Sequence, residues 1–145
     1  NARNTEIGGI LGCSQLARLD DIVAKRTANL HQFLNSIDDS KYRTDFETEG
    51  SSNYAFNLVL KDPDMGLAQR LMDSMKQSGL EFRRGSAGGG NQLRQPYLKG
   101  VVPEGSYVEY PETEHIHFFG FYIGNFPDLT QAEIQEICSI LNAVS

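Results

Sequence analysis

The sequence has no tryptophan, only two cysteines, and three each of histidine and methionine in 145 residues. Two cysteines, Cys13 and Cys138, make neither a disulfide-stapled scaffold nor a metal-ligand spacing. Both fall in apolar helical patterns, so both are expected to be buried, reduced thiols, with a long-range disulfide between them as the alternative. No apolar run approaches the ~20 residues that cross a bilayer, and the first residues carry no signal-peptide pattern. Positive charge is in deficit. There are 13 Lys and Arg against 19 Asp and Glu, a formal net charge of -6. That balance argues against nucleic acid and against an anionic membrane as partners. A cytoplasmic location is expected. Internal repeats and low-complexity tracts are missing as well.

What is present is an ordinary globular composition, 39% hydrophobic and 22% charged. The length suits one domain with a core of its own. The chain opens "NARNTEIGG", without Met, and runs at once into a helix signal, so it is expected to be a piece of a longer polypeptide. Apolar positions from Ile7 to Ile37 recur at helical spacing and predict one long helix over about 5–37, bent near Gly8, Gly9 and Gly12. A short strand is expected around Tyr42 to Phe46. "NYAFNLVL" alternates, and Tyr54, Phe56, Leu58 and Leu60 share one face of a strand. Pro63 and Asp64 open a helix that Gly79 stops. "LEFRR" is the next strand, "ETEHIHFFG" reads as a helix, and "FFGFYIG" reads as a buried strand. In the final helix Thr130 and Glu133 stand at capping-box spacing. The order predicts an α+β fold: a small, mainly antiparallel sheet with helices on one side, preceded by a long helix.

Between the second and third strands lies "GSAGGGNQLRQPY". Glycine permits positive φ and close approach of the backbone, at the largest entropic loss on ordering. A glycine loop with free N–H groups can cradle an anion. Arg83, Arg84 and Arg94 add charge-assisted donors. Asn91, Gln92 and Gln95 hydrogen-bond hydroxyls in either sense, and Tyr97 offers a flat ring and a hydroxyl. That set suits a polyhydroxylated, phosphorylated ligand, and equally a solvated surface loop. The loop is not a P-loop, since no Gly-Lys-Ser/Thr closes it, and it is not a dinucleotide fingerprint. His31 reads as a surface residue. His115 and His117 stand two apart without a third ligand, so no metal site is expected. No nucleophilic triad and no carboxylate pair stands out.

Three segments together resemble the DegT/DnrJ/EryC1/StrS family of pyridoxal-phosphate sugar aminotransferases and their dehydratase relatives. "NARNTEIGGILGCSQLARLDDIVAKR" resembles the family's N-x-R-x-T/S-E helix. "SGLEFRRGSAGGGNQLRQPYL" resembles its substrate-side strand and Gly-Asn turn. "GFYIGNFPDLTQAEI" resembles its closing strand, turn and helix. The resemblance covers essentially the whole chain and corresponds to the C-terminal part of such an enzyme. It implies residues 1–37 as a connecting helix with a dimer-facing N-terminus and residues 38–145 as a small α+β domain. It implies that Asn1 and Arg3 serve the cofactor phosphate across a homodimer. It implies that Arg83, Asn91, Gln95 and Tyr97 lie near a nucleotide-sugar substrate.

The family's Schiff-base lysine, or the histidine that replaces it in the dehydratase branch, lies upstream of these residues. No catalytic residue is therefore assigned here. The piece alone is expected to be inactive and not to hold pyridoxal phosphate. The implied activity is amino transfer to a nucleotide-linked keto sugar, in cell-surface polysaccharide (including lipopolysaccharide) or deoxy-amino-sugar synthesis. The alternatives are a nucleotide-sugar 3-dehydratase, toward which "HFFGFYIGN" leans, and a noncatalytic ligand-binding domain. Gly8 and Gly9 depart from the family pattern, and the loop carries extra glycines.

Overall fold

The computed structural model describes residues 5–87 and 90–145. Thr5 caps the first helix, its hydroxyl accepting the Gly8 N–H at 3.3 Å, and α1 spans Glu6–Leu16. The expected bend at the glycines is not there. The helix continues through Gly8, Gly9 and Gly12 and breaks instead at Ala17 and Arg18, ahead of α2, Leu19–Ser36. Glycine weakens a helix by about 1 kcal/mol per residue but leaves its hydrogen-bond ladder whole. The break comes where the Arg18 N–H reaches Gln15 O at 3.0 Å and closes a tight turn.

Three strands form one antiparallel sheet in the order β1 (Ala55–Val59), β3 (Gly120–Gly124), β2 (Phe82–Arg84). Phe56 and Phe82 both pair with Ile123, and Asn57 and Arg83 both pair with Tyr122. The strand expected at Tyr42 to Phe46 reduces to a single bridge between Tyr42 and Leu60. Tyr42 is held by burial instead: it is fully enclosed, and its hydroxyl donates to Leu141 O at 2.8 Å. Tyr54, expected on the buried face, is 64% exposed, because it lies before the first residue of β1.

Helices α2, α3 (Met65–Gln77) and α5 (Gln131–Asn142) cover one face of the sheet. Leu30 and Phe33 of α2, Leu71 and Met75 of α3, and Ile134 and Leu141 of α5 enter one core with Phe56, Leu58, Phe121 and Ile123. Phe33 stacks on Phe56 with ring centroids 4.5 Å apart. Each such side chain contributes roughly 1.5–3 kcal/mol by leaving water. Asp64 caps α3 by accepting the Leu67 N–H. Thr130 and Glu133 form the expected capping box on α5. Of the two cysteines, Cys138 is in the core and its thiol is pushed up to about 11 by burial, whereas Cys13 is exposed, contrary to expectation. The residues α1 would bury if it were a core helix, Ile7, Ile10, Leu11 and Leu16, are 58% to 71% exposed. No described helix is long and apolar enough to cross a membrane.

α4, Pro111–Phe119, leads directly into β3. It is anchored at its start by Arg43, whose guanidinium meets Glu112 at 2.6 Å. It is anchored in its middle by His115, whose Nε2 lies 2.6 Å from Leu60 O. This helix seats the glycine loop.

Candidate functional site

The need for glycine at both ends of the loop is set by α4. A Cβ on Gly85 would lie 1.9 Å from Ile116 O. Gly90 has φ +56°, and a Cβ there would lie 2.2 Å from His117 Nδ1. Only a residue without a side chain brings the backbone this close. The loop's N–H groups are partly consumed by the fold: Gly85 N–H donates to Gly120 O at 2.5 Å, and Asn91 N–H donates to His117 Nδ1 at 3.0 Å. Gly88 and Gly89, the middle of the anion cradle expected from sequence, lie outside the described residues.

Asn91 is 2% exposed. Its Nδ2 donates to Glu114 Oε1 at 2.7 Å and its Oδ1 accepts the Leu93 N–H at 3.1 Å, which opens a 3₁₀ turn over Gln92–Arg94. Arg94 grips the same carboxylate. Its Nε reaches the two Glu114 oxygens at 2.7 and 2.9 Å, and its Nη2 also donates to Oε2. The guanidinium lies 3.9 Å from the centre of the Tyr107 ring and 5.0 Å from that of Phe118, a cation–π arrangement. The Arg94 hydrogen bond holds the Glu114 carboxyl below the ordinary carboxylate range, with Asn91 adding to it and burial opposing. His117 accepts on Nδ1, so its ring carries no proton there.

The other residues expected at the site fall in two places. Gln95 lines a groove of about 640 Å³, and Leu93, Leu98, Lys99 and Tyr107 share its wall. Tyr97 stands beside it in a second 3₁₀ turn, Pro96–Leu98, 65% exposed, with its hydroxyl bonded to Gln92 Oε1. Arg83 lies elsewhere, on the sheet. It forms a row with Tyr122 and Asn57, pairs with exposed Glu81 at 3.2 Å, and lines a separate groove of 400 Å³ with Tyr54, Tyr122 and Phe126. The structure therefore gathers Asn91, Gln95 and Tyr97 in one segment and sets Arg83 apart. Arg84 Nε is buried without a hydrogen-bond partner among the described residues. Asn1 and Arg3 lie outside the described residues. Among the described residues no group of three or more His, Cys, Asp or Glu could hold a metal.

Sequence reasoning missed Glu114 and Tyr107, and weighed His117 only as a metal ligand. One signal was available: Glu114 and His117 stand at i and i+3 in a predicted helix, which puts them on one face. It also missed Asn125, 1% exposed at the end of β3. Asn125 Nδ2 donates to Arg26 O and Asn53 O, each at 2.8 Å, and its Oδ1 accepts from Asn29 Nδ2 at 3.2 Å. It ties α2 to both strand ends.

The model of the DegT/DnrJ/EryC1/StrS aminotransferase family matches residues 1–142. The chain belongs to this family. It is 29% identical over 84 residues to a GDP-4-keto-6-deoxy-D-mannose 3-dehydratase of Escherichia coli O55:H7, covering 57% of this chain and 22% of that enzyme. Among solved structures, the E. coli GDP-4-keto-6-deoxy-D-mannose-3-dehydratase with bound hydrated PLP is 23% identical, with a TM-score of 0.74 over 97% of this chain and 36% of that one. An aminotransferase from Psychrobacter cryohalolentis is 21% identical, with a TM-score of 0.78 over 99% of this chain and 39% of that one. These two likenesses establish a shared fold for the DegT/DnrJ/EryC1/StrS chain described here. The chain spans about a fifth of the length of the curated relative and under two fifths of each of these solved structures.

Proposed function

We propose that this chain is the C-terminal part of a pyridoxal-phosphate enzyme that transfers an amino group to a nucleotide-linked keto sugar. The family match over residues 1–142 carries the reading. The glycine-bounded segment seated on α4 supports it locally. In this reading residues 1–37 connect to a larger domain in a cytoplasmic homodimer, and residues 38–145 form the small domain. Pyridoxal phosphate supplies an electron sink for bond changes at the atom joined to it. Asn1 and Arg3, matched to the family's N-x-R motif, would hold its phosphate across the dimer.

The chain's own residues bind and orient the sugar nucleotide. Gln95 presents an amide that donates to and accepts from sugar hydroxyls. Tyr97 presents a ring face and a hydroxyl. Arg83, 62% exposed in its side chain, supplies a bidentate donor for a phosphate or a hydroxyl pair. Asn91 faces inward and serves the site by shaping the segment that carries Gln95 and Tyr97.

A second reading, 3-dehydration on the same scaffold, is favoured by the 29% identity to the E. coli 3-dehydratase. One experiment separates the two. The full-length enzyme is incubated with pyridoxal phosphate, L-glutamate and GDP-4-keto-6-deoxymannose, and the sugar product is weighed by mass spectrometry. An amino sugar is the expected product. A sugar lacking its 3-hydroxyl supports dehydration, and unchanged substrate with no nucleotide binding contradicts both.

A further inference from the structure

Glu114 and His117 share one face of α4 and meet the loop at three adjacent points: Asn91 N–H, Asn91 Nδ2 and the Arg94 guanidinium. They are the groups through which the fold holds the 90–94 backbone, because Gly90 can approach His117 only without a side chain. Glu114 is well shielded, its side chain 18% exposed, and four hydrogen bonds converge on its two oxygens. A carboxylate so saturated by protein donors has little capacity left for a ligand. Arg94 is likewise committed to Glu114 and to the Tyr107 and Phe118 rings. Its charge is paired with Glu114, while its side chain stays 31% exposed on the groove that Gln95 also lines. Gln95 and Tyr97 follow immediately in the chain, Tyr97 in the 3₁₀ turn Pro96–Leu98.

We propose that Glu114 and His117 are the positioning residues of the 90–98 segment, fixing Gln95 and Tyr97 for the nucleotide sugar without touching it. The ligand part rests on the function proposed above; the latch itself does not. Arg94 accordingly belongs to the latch rather than to the phosphate-binding set, although its sequence position beside Gln95 suggests the reverse.

The test uses the full-length enzyme and three variants. Glu114→Gln removes the charge that Arg94 grips. His117→Leu removes the acceptor for Asn91 N–H. His117→Asn keeps an acceptor, since its Oδ1 takes the place of Nδ1. Two readouts are taken: amide hydrogen exchange across 90–98, and KM and kcat with GDP-4-keto-6-deoxymannose. Glu114→Gln and His117→Leu are expected to raise exchange in that segment about tenfold and to raise KM about tenfold, with kcat within about twofold. His117→Asn is expected to restore both toward the parent values. Unchanged exchange overturns the latch. Raised exchange with unchanged KM, or kcat falling with the melting temperature in every variant, overturns the positioning role. If the parent enzyme neither turns over nor binds GDP, the functional reading has failed, and exchange alone still decides the latch.

Discussion

Asn91 and His117 are joined across 26 residues of chain by a backbone N–H donated to an imidazole Nδ1 at 3.0 Å. This bond brings the end of the glycine loop onto the last turn of α4. The same close approach explains why glycine occupies position 90.

Alanine at the loop's ends is expected to be costly for a reason that does not apply in α1. Gly85→Ala places its methyl against the Ile116 carbonyl, and Gly90→Ala adds positive-φ strain to a clash with His117. Each is expected to destabilise by about 2–3 kcal/mol. Gly12→Ala meets nothing within 4 Å and is expected to stabilise by up to about 1 kcal/mol. Denaturant unfolding of the three variants reads both signs in one series.

The Glu114–Arg94 pair gives the fold a defined acid sensitivity. The folded carboxyl sits below its ordinary value, chiefly through the Arg94 hydrogen bond. The stability it lends is therefore complete above the ordinary glutamate value, about 4.3. It is lost as pH falls through the lower folded value. The stability gap between Glu114→Gln and the parent is expected to stay constant from about pH 7 to about pH 5 and to narrow only below that, as urea unfolding is repeated down to about pH 3. A gap independent of pH contradicts the ion pair's role.

Asn125 is expected to be the least replaceable polar side chain outside the loop. Asn125→Ala strands the Arg26 and Asn53 carbonyls, each now bonded at 2.8 Å. A loss of about 3 kcal/mol is expected. Asn125→Asp keeps the shape but turns an acceptor toward both carbonyls, so it is expected to cost at least as much at neutral pH. Thermal unfolding of the two variants checks the ranking.

The apolar side chains of α1 are expected to associate when the 145 residues are studied alone. Ile7, Ile10 and Leu11 lie exposed at i, i+3 and i+4 on α1, with Leu16 exposed at its end, and apolar surface of this kind seeks cover. Sedimentation is expected to show a mass that rises with concentration, and Ile10→Asp with Leu11→Asp is expected to suppress the rise. A single 16.1 kDa species at every concentration contradicts this.

Local chemistry made much of the fold legible. Thr130 and Glu133 are three residues apart, and their capping box needs nothing beyond α5 itself. Phe56, Leu58 and Leu60 alternate, and all three are buried. What was illegible depends on distant contacts. The break at Ala17 and Arg18 carries no glycine or proline. Tyr42 is fixed by a carbonyl 99 residues away, not by a strand ladder. The composition of the loop identified Asn91, Gln95 and Tyr97 as a unit, but not that Asn91 is buried and that both Asn91 and Arg94 bond Glu114. That distinction arises from a pairing between segments 20 to 26 residues apart, which no periodicity encodes.

The central claim is that this fold serves a pyridoxal-phosphate enzyme. The most direct measurement adds the cofactor to the full-length protein, reduces it with borohydride and locates any adduct by mass. A pyridoxyl group covalently attached to a lysine outside these 145 residues is the predicted result and supports amino transfer. Cofactor bound but never trapped would move the assignment to dehydration. No retained cofactor would contradict the account.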